Sequence, residues 1–135
     1  MKNKKPHIRI ESYGRYTPWD KESRKLPGIL EFTHIIEATE GNEFGMTLLI
    51  TGGRGIRLSY CIKHPPYKND CGDIERYFTG EYRINSNHYE FYIGDCISVP
   101  VEEKIGVWEF TVYFRNNKIA AQKFEIVPCN TLTEK

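Results

Sequence analysis

The run Gly106-Val107-Trp108-Glu109-Phe110-Thr111-Val112-Tyr113-Phe114-Arg115-Asn116-Asn117-Lys118-Ile119-Ala120-Ala121-Gln122-Lys123-Phe124-Glu125-Ile126-Val127 reads as a β-hairpin with one dry face. Trp108, Phe110, Val112 and Phe114 alternate with Glu109, Thr111 and Tyr113, and a period of two sends the two sets to opposite sides of a strand. Arg115-Asn116-Asn117-Lys118 suits the turn, because Asn tolerates the left-handed backbone region. On the return, Ala120, Phe124 and Ile126 share one phase, and Ile119, Ala121 and Val127 share the other. A two-residue Asn116-Asn117 loop pairs Phe114 with Ile119 and, unbroken, Trp108 with Glu125. A three-residue loop with Asn117 left-handed pairs Val112 with Ala120 and Trp108 with Phe124. A one-residue slip turns every side chain over. The loop therefore holds three residues, which is the expectation, or a bulge between Ala121 and Phe124 restores the phase. Either way Trp108 belongs to the core.

The other segments supply strands to cover that face. Residues 7–16 alternate through Ile8 and Ile10, with a bend at Tyr13-Gly14. Residues 17–28 carry prolines and charges and form a loop, with Trp19 over one end of the sheet. Residues 29–39 read as a second strand with Leu30, Phe32, Ile36 and Ala38 in one phase. His34 shares that phase and is expected as a hydrogen-bonded core or edge residue, not a ligand. Residues 44–51 place Phe44, Met46, Leu48 and Ile50 inward. Gly52-Gly53-Arg54-Gly55 lacks the Gly-x-x-x-x-Gly-Lys-Ser/Thr of a phosphate loop, and a strand pattern at 56–62 makes it a hairpin connection. Pro65 and Pro66 lack amide donors, so 64–73 is an irregular excursion. Residues 74–84 form a strand near an edge, and 88–93 a strand with Tyr89, Phe91 and Ile93 in phase. No stretch of ten residues patterns as an amphipathic helix. Roughly seven to eight short strands between turn signals predict an all-β, antiparallel, immunoglobulin-like β-sandwich. It forms a single domain over 7–128, between a flexible leader at 1–6 and a flexible tail at 129–135.

The totals narrow the function classes. At 135 residues one core is large enough to need no metal or disulfide staple. Nineteen basic residues against 18 acidic ones leave a net charge of +1, unlike a protein that grips nucleic-acid phosphates. The basic start lacks the apolar stretch of a secretory signal, and no run approaches the ~18 apolar residues of a membrane span. A cytoplasmic protein is expected. Cys61, Cys71, Cys96 and Cys129 form no Cys-x-x-Cys pair and read as thiols of a reducing compartment.

The landmarks Ser12-Tyr13-Gly14-Arg15-Tyr16, Thr39 with Phe44-Gly45, Gly52-Gly53, His64-Pro65 followed by Gly72, Gly106-Val107-Trp108-Glu109-Phe110 and Phe124-Glu125-Ile126-Val127 occur in an order of their own. That order resembles a family of small bacterial proteins, the domain of unknown function numbered 3859, over residues 8–127. The resemblance implies a β-sandwich and a bacterial source, and it brings no catalytic residues. The chain departs from the pattern at Asn69-Asp70-Cys71-Gly72, where a second Asn-Pro-like turn is expected.

Four constellations merit weighing. Cys61, His64 and Cys71, completed by His88 or Cys96, have only one short ligand spacing where zinc sites show paired ones. Cys71 and Cys96 as nucleophiles lack an activating neighbour in sequence. Glu102-Glu103, or Asp70 with Asp73, diverge as surface carboxylates and do not face each other across a cleft. The aromatic set Tyr77, Phe78, Tyr82, Tyr89, Phe91 and Tyr92 is the fourth, with Tyr92 expected at the surface and suited to recognition. Loops on a rigid scaffold often bind, which adds Arg54, Arg57, His64 and Tyr67 to Tyr92 as binding candidates. The expectation is a non-enzymatic domain without cofactor, which binds an unidentified protein partner or itself through an edge strand or the 64–73 loop. The alternatives are a small-molecule or carbohydrate module built on the tyrosines of 77–92, and a thiol- or zinc-dependent enzyme.

Overall fold

The computed structural model describes residues 6–20, 22, 25–69 and 71–129; the leader at 1–5, Asp70 and the tail from 130 lie outside the described residues. In chain order the strands are β1 (His7–Tyr16), β2 (Ile29–Glu31), β3 (Ile35–Glu37), β4 (Glu43–Thr51), β5 (Arg57–Lys68), β6 (Ile74–Arg83), β7 (His88–Cys96), β8 (Gly106–Phe114) and β9 (Asn117–Val127). Among the described residues a single 3-10 turn, Val101–Lys104, precedes β8. The strands form two sheets, a four-stranded one in the order β2-β1-β4-β7 and a five-stranded one in the order β3-β9-β8-β5-β6. The result is the immunoglobulin-like sandwich that the alternation predicts, with nine strands among the described residues in place of seven or eight. Pairing is antiparallel except between β3 and β9, which run parallel.

The opening hairpin lies at the centre of the five-stranded sheet. Val112 pairs with Ala120 and Trp108 with Phe124, the register that keeps the dry face inward. The turn that delivers it differs from the three-residue loop. Phe114 pairs with Asn117 and Tyr113 with Lys118, the register shifts between Val112 and Tyr113, and Arg115 and Asn116 take φ of 52° and 67°. This is a two-residue turn with both central residues left-handed, which matches the twist of the strands. A bulge at Ile119 then corrects the phase. Trp108, Phe110, Phe124 and Ile126 meet Phe44, Met46, Leu48 and Ile50 of β4 in one core. The Phe44 ring meets Trp108, Phe110 and Phe124 edge-on at centroid distances of 5.2, 5.6 and 5.6 Å.

Three local expectations are corrected. Residues 29–39 are not one strand: β2 pairs with β1, β3 pairs with β9, and the chain crosses between sheets at Phe32-Thr33-His34. Thr33 supports the crossing by accepting the Ile35 N–H on its hydroxyl at 3.0 Å. Gly14 allows β2 its close approach, because a Cβ there would strike the Glu31 carbonyl. Leu30 and Phe32 consequently remain 53% and 59% exposed, while Ile36 and Ala38 are buried. Residues 52–55 also cross between sheets and do not close a hairpin; the Gly52 and Gly55 amides donate to the Asn87 and Ile84 carbonyls. Finally, β5 runs straight through Pro65 and Pro66. Its ladder with β8 ends at Lys63 and its ladder with β6 skips from Lys63 to Tyr67. The prolines therefore sit within an extended strand but outside its hydrogen-bond ladders, as their missing amides require.

Candidate functional site

The expected binding residues do not form one patch. Arg57 opens β5 and Tyr67 nearly closes it, so at ~3.3 Å per residue they stand roughly 30 Å apart. Arg54 lies on the crossing before β5, its amide donating to Asn87 Oδ1 at 3.1 Å. The Arg57 guanidinium pairs with Glu81 of β6 at 3.6 Å.

His64 and Tyr67 do come together. Their rings stack at 4.4 Å, with Trp108 5.1 Å and Phe78 5.8 Å from the imidazole. His64 Nδ1 lies 2.8 Å from the Pro65 carbonyl, which makes it the donor, and Nε2 is buried without a partner. Lys104 sits over the Tyr67 ring, with Nζ 4.8 Å from its centroid. Lys104 is a buried residue, and its ammonium donates to the Ser98 and Pro100 carbonyls at 3.1 and 3.2 Å. The Lys104 carbonyl in turn accepts the Trp108 indole N–H at 2.8 Å. Burial, then the nearby Asp95, Glu75 and Glu103, push the Tyr67 phenol up to about 12. This cluster ties the proline stretch to the core. Lys104 carried no sequence signal, since a lone lysine beside two glutamates ordinarily reads as solvated.

Tyr92 contradicts its expected surface position: it is 1% exposed. The outer side of β4 and β7 is not open to water, because Tyr16 and Trp19 meet the Tyr92 ring at 4.9 and 5.0 Å. Its hydroxyl lies 2.7 Å from Glu43 Oε2 and 3.0 Å from the Phe44 carbonyl. Trp19 thus packs across a sheet face and does not sit over a sheet end.

Where β6 and β7 leave the two sheets side by side, a cleft of about 280 Å³ opens, walled by Trp19, Tyr60, Phe78 and Tyr82. Tyr82 bridges the sheets by donating to the Tyr92 carbonyl at 2.9 Å. Burial, then the neighbouring Tyr60 and Tyr89, push its phenol up to about 12. Glu81 of β6 and Asp95 of β7 also line the cleft. A second apolar surface, with Phe32, Ile35 and Val107 exposed, occupies the opposite edge by β2 and β3.

Among the described residues no three His, Cys, Asp or Glu side chains converge on a metal position, so Cys61, His64 and Cys71 do not assemble into a ligand set. None of the four cysteines is disulfide-bonded. Burial raises the Cys61 thiol above its ordinary value, with Lys63 opposing and Glu109 adding. Burial, then Glu43, Asp95 and Glu40, raise that of Cys96. Both are held as thiols, the unreactive form. Glu102 and Glu103 are exposed on the 3-10 turn, and Asp73 is described without its candidate companion Asp70. Among the described residues no helix is long and apolar enough to cross a membrane.

Fold and surface together define an immunoglobulin-like β-sandwich that carries an aromatic cleft and a free sheet edge. The chain belongs to the family Domain of unknown function (DUF3859), whose profile matches residues 4–126. Among solved structures it is similar to an immunoglobulin-like protein from Pseudomonas aeruginosa. That likeness has 21% identity and a TM-score of 0.73, and it covers 90% of this chain and 97% of the other. At such identity the likeness speaks for the fold alone. A CARDB domain in complex with di-metal ions from Pyrococcus furiosus aligns over 90% of this chain and 89% of its own. Its 9% identity and TM-score of 0.39 are too low to carry any argument. No curated protein matches the chain.

Proposed function

We propose that this chain is a non-enzymatic interaction module that binds a protein partner, a second copy of itself included, along the free edge of β6 and the adjoining end of β5 after His64. The observation that carries the proposal is the state of β6. It is the outermost strand of its sheet, ten residues long, with Ile74 52% and Tyr77 58% exposed. An unpaired strand edge offers a row of N–H and C=O groups that another strand can complete, and exposed side chains beside it supply selectivity. The opposite edges formed by β2 and β3 are only three residues long each, too short for an extended ladder. The edge of β7 already spends the Tyr92 carbonyl on Tyr82.

A carbohydrate or small-molecule module is not favoured. The tyrosine-lined cleft, about 280 Å³, lies at the lower limit of the ~300–1,000 Å³ of small-molecule sites. Tyr77 and Tyr89 do not line it.

Light scattering on a sizing column, run on the protein alone and mixed with extract from its source cells, tests the proposal. A heavier species is expected with wild type and lost with Tyr77→Lys. That exposed substitution should leave stability within about 0.5 kcal/mol. A strict monomer that captures nothing, or a variant that captures as wild type does, counts against it.

A further inference from the structure

We propose that the partner at β6 is a second copy of this chain, joined β6 to β6 about a two-fold axis at Thr79, an inference that rests on β6 being the partner-binding edge. Among the described residues no loop main chain hydrogen-bonds to residues 74–83, and the ladder with β5 occupies only one side of the strand. Phe78 and Tyr82 turn into the cleft between the sheets, so alternation puts Glu75, Tyr77, Thr79 and Arg83 on the outer face. Charges on that face are unbalanced within one copy. Arg83 lies directly across from Arg57 of β5, and Glu81 is drawn to Arg57 at 3.6 Å. Like charges directly opposite one another destabilise a sheet. Toward the other end of the strand, Glu75 lies across from the uncharged Tyr67. Among the described residues neither Glu75 nor Arg83 makes an ion pair.

A two-fold axis normal to the sheet joins two copies of one strand antiparallel, and it passes between one residue and its own copy. Few registers are then available, and charge separates them. With Thr79 on the axis, Glu75 faces Arg83 of the other copy, and symmetry makes that pair twice. Each Arg83 gains a carboxylate on the side away from Arg57. With Phe78 on the axis, Glu75 would face Glu81 twice. Arg76 or Glu81 on the axis would meet its own charge, and Tyr77 or Gly80 would bring no opposite charges together. The Thr79 register also overlaps residues 75–83, nearly all of the strand. Tyr77 then reaches Arg83 of the other copy on the diagonal, an aromatic face against a guanidinium, and Tyr77→Lys replaces that contact with two cations. β6 thus carries its own complement, which favours a second copy over an unrelated chain.

Sedimentation equilibrium over a concentration series tests the pairing on the full chain, on its Glu75→Arg and Arg83→Glu variants, and on an equimolar mixture of the two variants. Wild type should show a monomer–dimer equilibrium. Each single variant turns both ion pairs into like-charge pairs and should dimerise at least about tenfold more weakly. In the mixture one chain is basic at positions 75 and 83 and the other is acidic at both. Opposite charges face each other again, and the dimer should return, a gain that misfolded variants could not give. A wild type that stays monomeric throughout, single variants that dimerise as wild type does, or a mixture with no more dimer than its components overturns the proposal. If wild type is monomeric while the Tyr77→Lys comparison in extract still separates bound from free, only the second copy falls. If that comparison fails as well, the β6 edge falls with it.

Discussion

The Tyr92 hydroxyl shares one proton between Glu43 Oε2 at 2.7 Å and the Phe44 carbonyl at 3.0 Å, away from water. Burial first, then the Glu43 charge, lifts its ionisation far above that of an ordinary phenol. Tyr92→Phe removes the donor that two buried oxygens share and should cost about 1–3 kcal/mol in urea unfolding. Tyr67 and Tyr82 give the molecule an alkaline limit. Both phenols are pushed up to about 12 from an ordinary 10.0, chiefly by burial. Between those values the unfolded chain has released the protons and the folded chain retains them, so rising pH favours unfolding. Stability from these residues should be complete below pH 10.0 and lost as pH climbs to about 12. A series of urea melts across that window checks it, and Tyr67→Phe should flatten the slope.

At the scale of elements, the β8–β9 hairpin determines which face is dry. Its turn holds two non-glycine residues left-handed, with Asn116 at φ 67°. Left-handed backbone costs most residues roughly 1–2 kcal/mol and glycine little. Asn116→Gly should therefore stabilise by about 0.5–1 kcal/mol, read as a higher urea midpoint with an unchanged slope. Trp108→Ala, by contrast, should cost about 3–5 kcal/mol, because it opens a cavity beside Phe44 and releases the Lys104 carbonyl. Period-two patterning made β4 and β8 legible because one face of each is apolar without a break, and Phe124 and Ile126 carried the Trp108–Phe124 pairing in β9 although Gln122 interrupts its phase. It failed at 29–39, where four apolar residues in phase conceal a change of sheet that depends on Thr33 and on the space above Gly14. It failed again at Tyr92, since alternation says which residues share a face but not whether a distant loop covers it. The cleft was illegible for a similar reason: Trp19, Tyr60, Tyr82 and Asp95 come from four separate segments.

At the scale of the whole molecule, closing two sheets over one core leaves edges that differ in kind. β2 and β3 are short and lie where one segment crosses between the sheets, β7 is bridged by Tyr82, and β6 alone combines length, exposed Ile74 and Tyr77, and an adjoining aromatic cleft. Mixed charges at Glu75, Arg76, Glu81 and Arg83 keep that edge soluble and give a partner strand its register. Photo-crosslinking tests the role of β6 most directly. A benzophenone side chain is placed at Tyr77, on the edge, and in a second variant at Lys118, which is exposed on β9 beside the hairpin turn. Irradiation in source cells should give a discrete adduct from position 77 that is absent from position 118. Adducts of equal yield at both positions, or none at 77, would contradict the assignment of β6 as the binding edge.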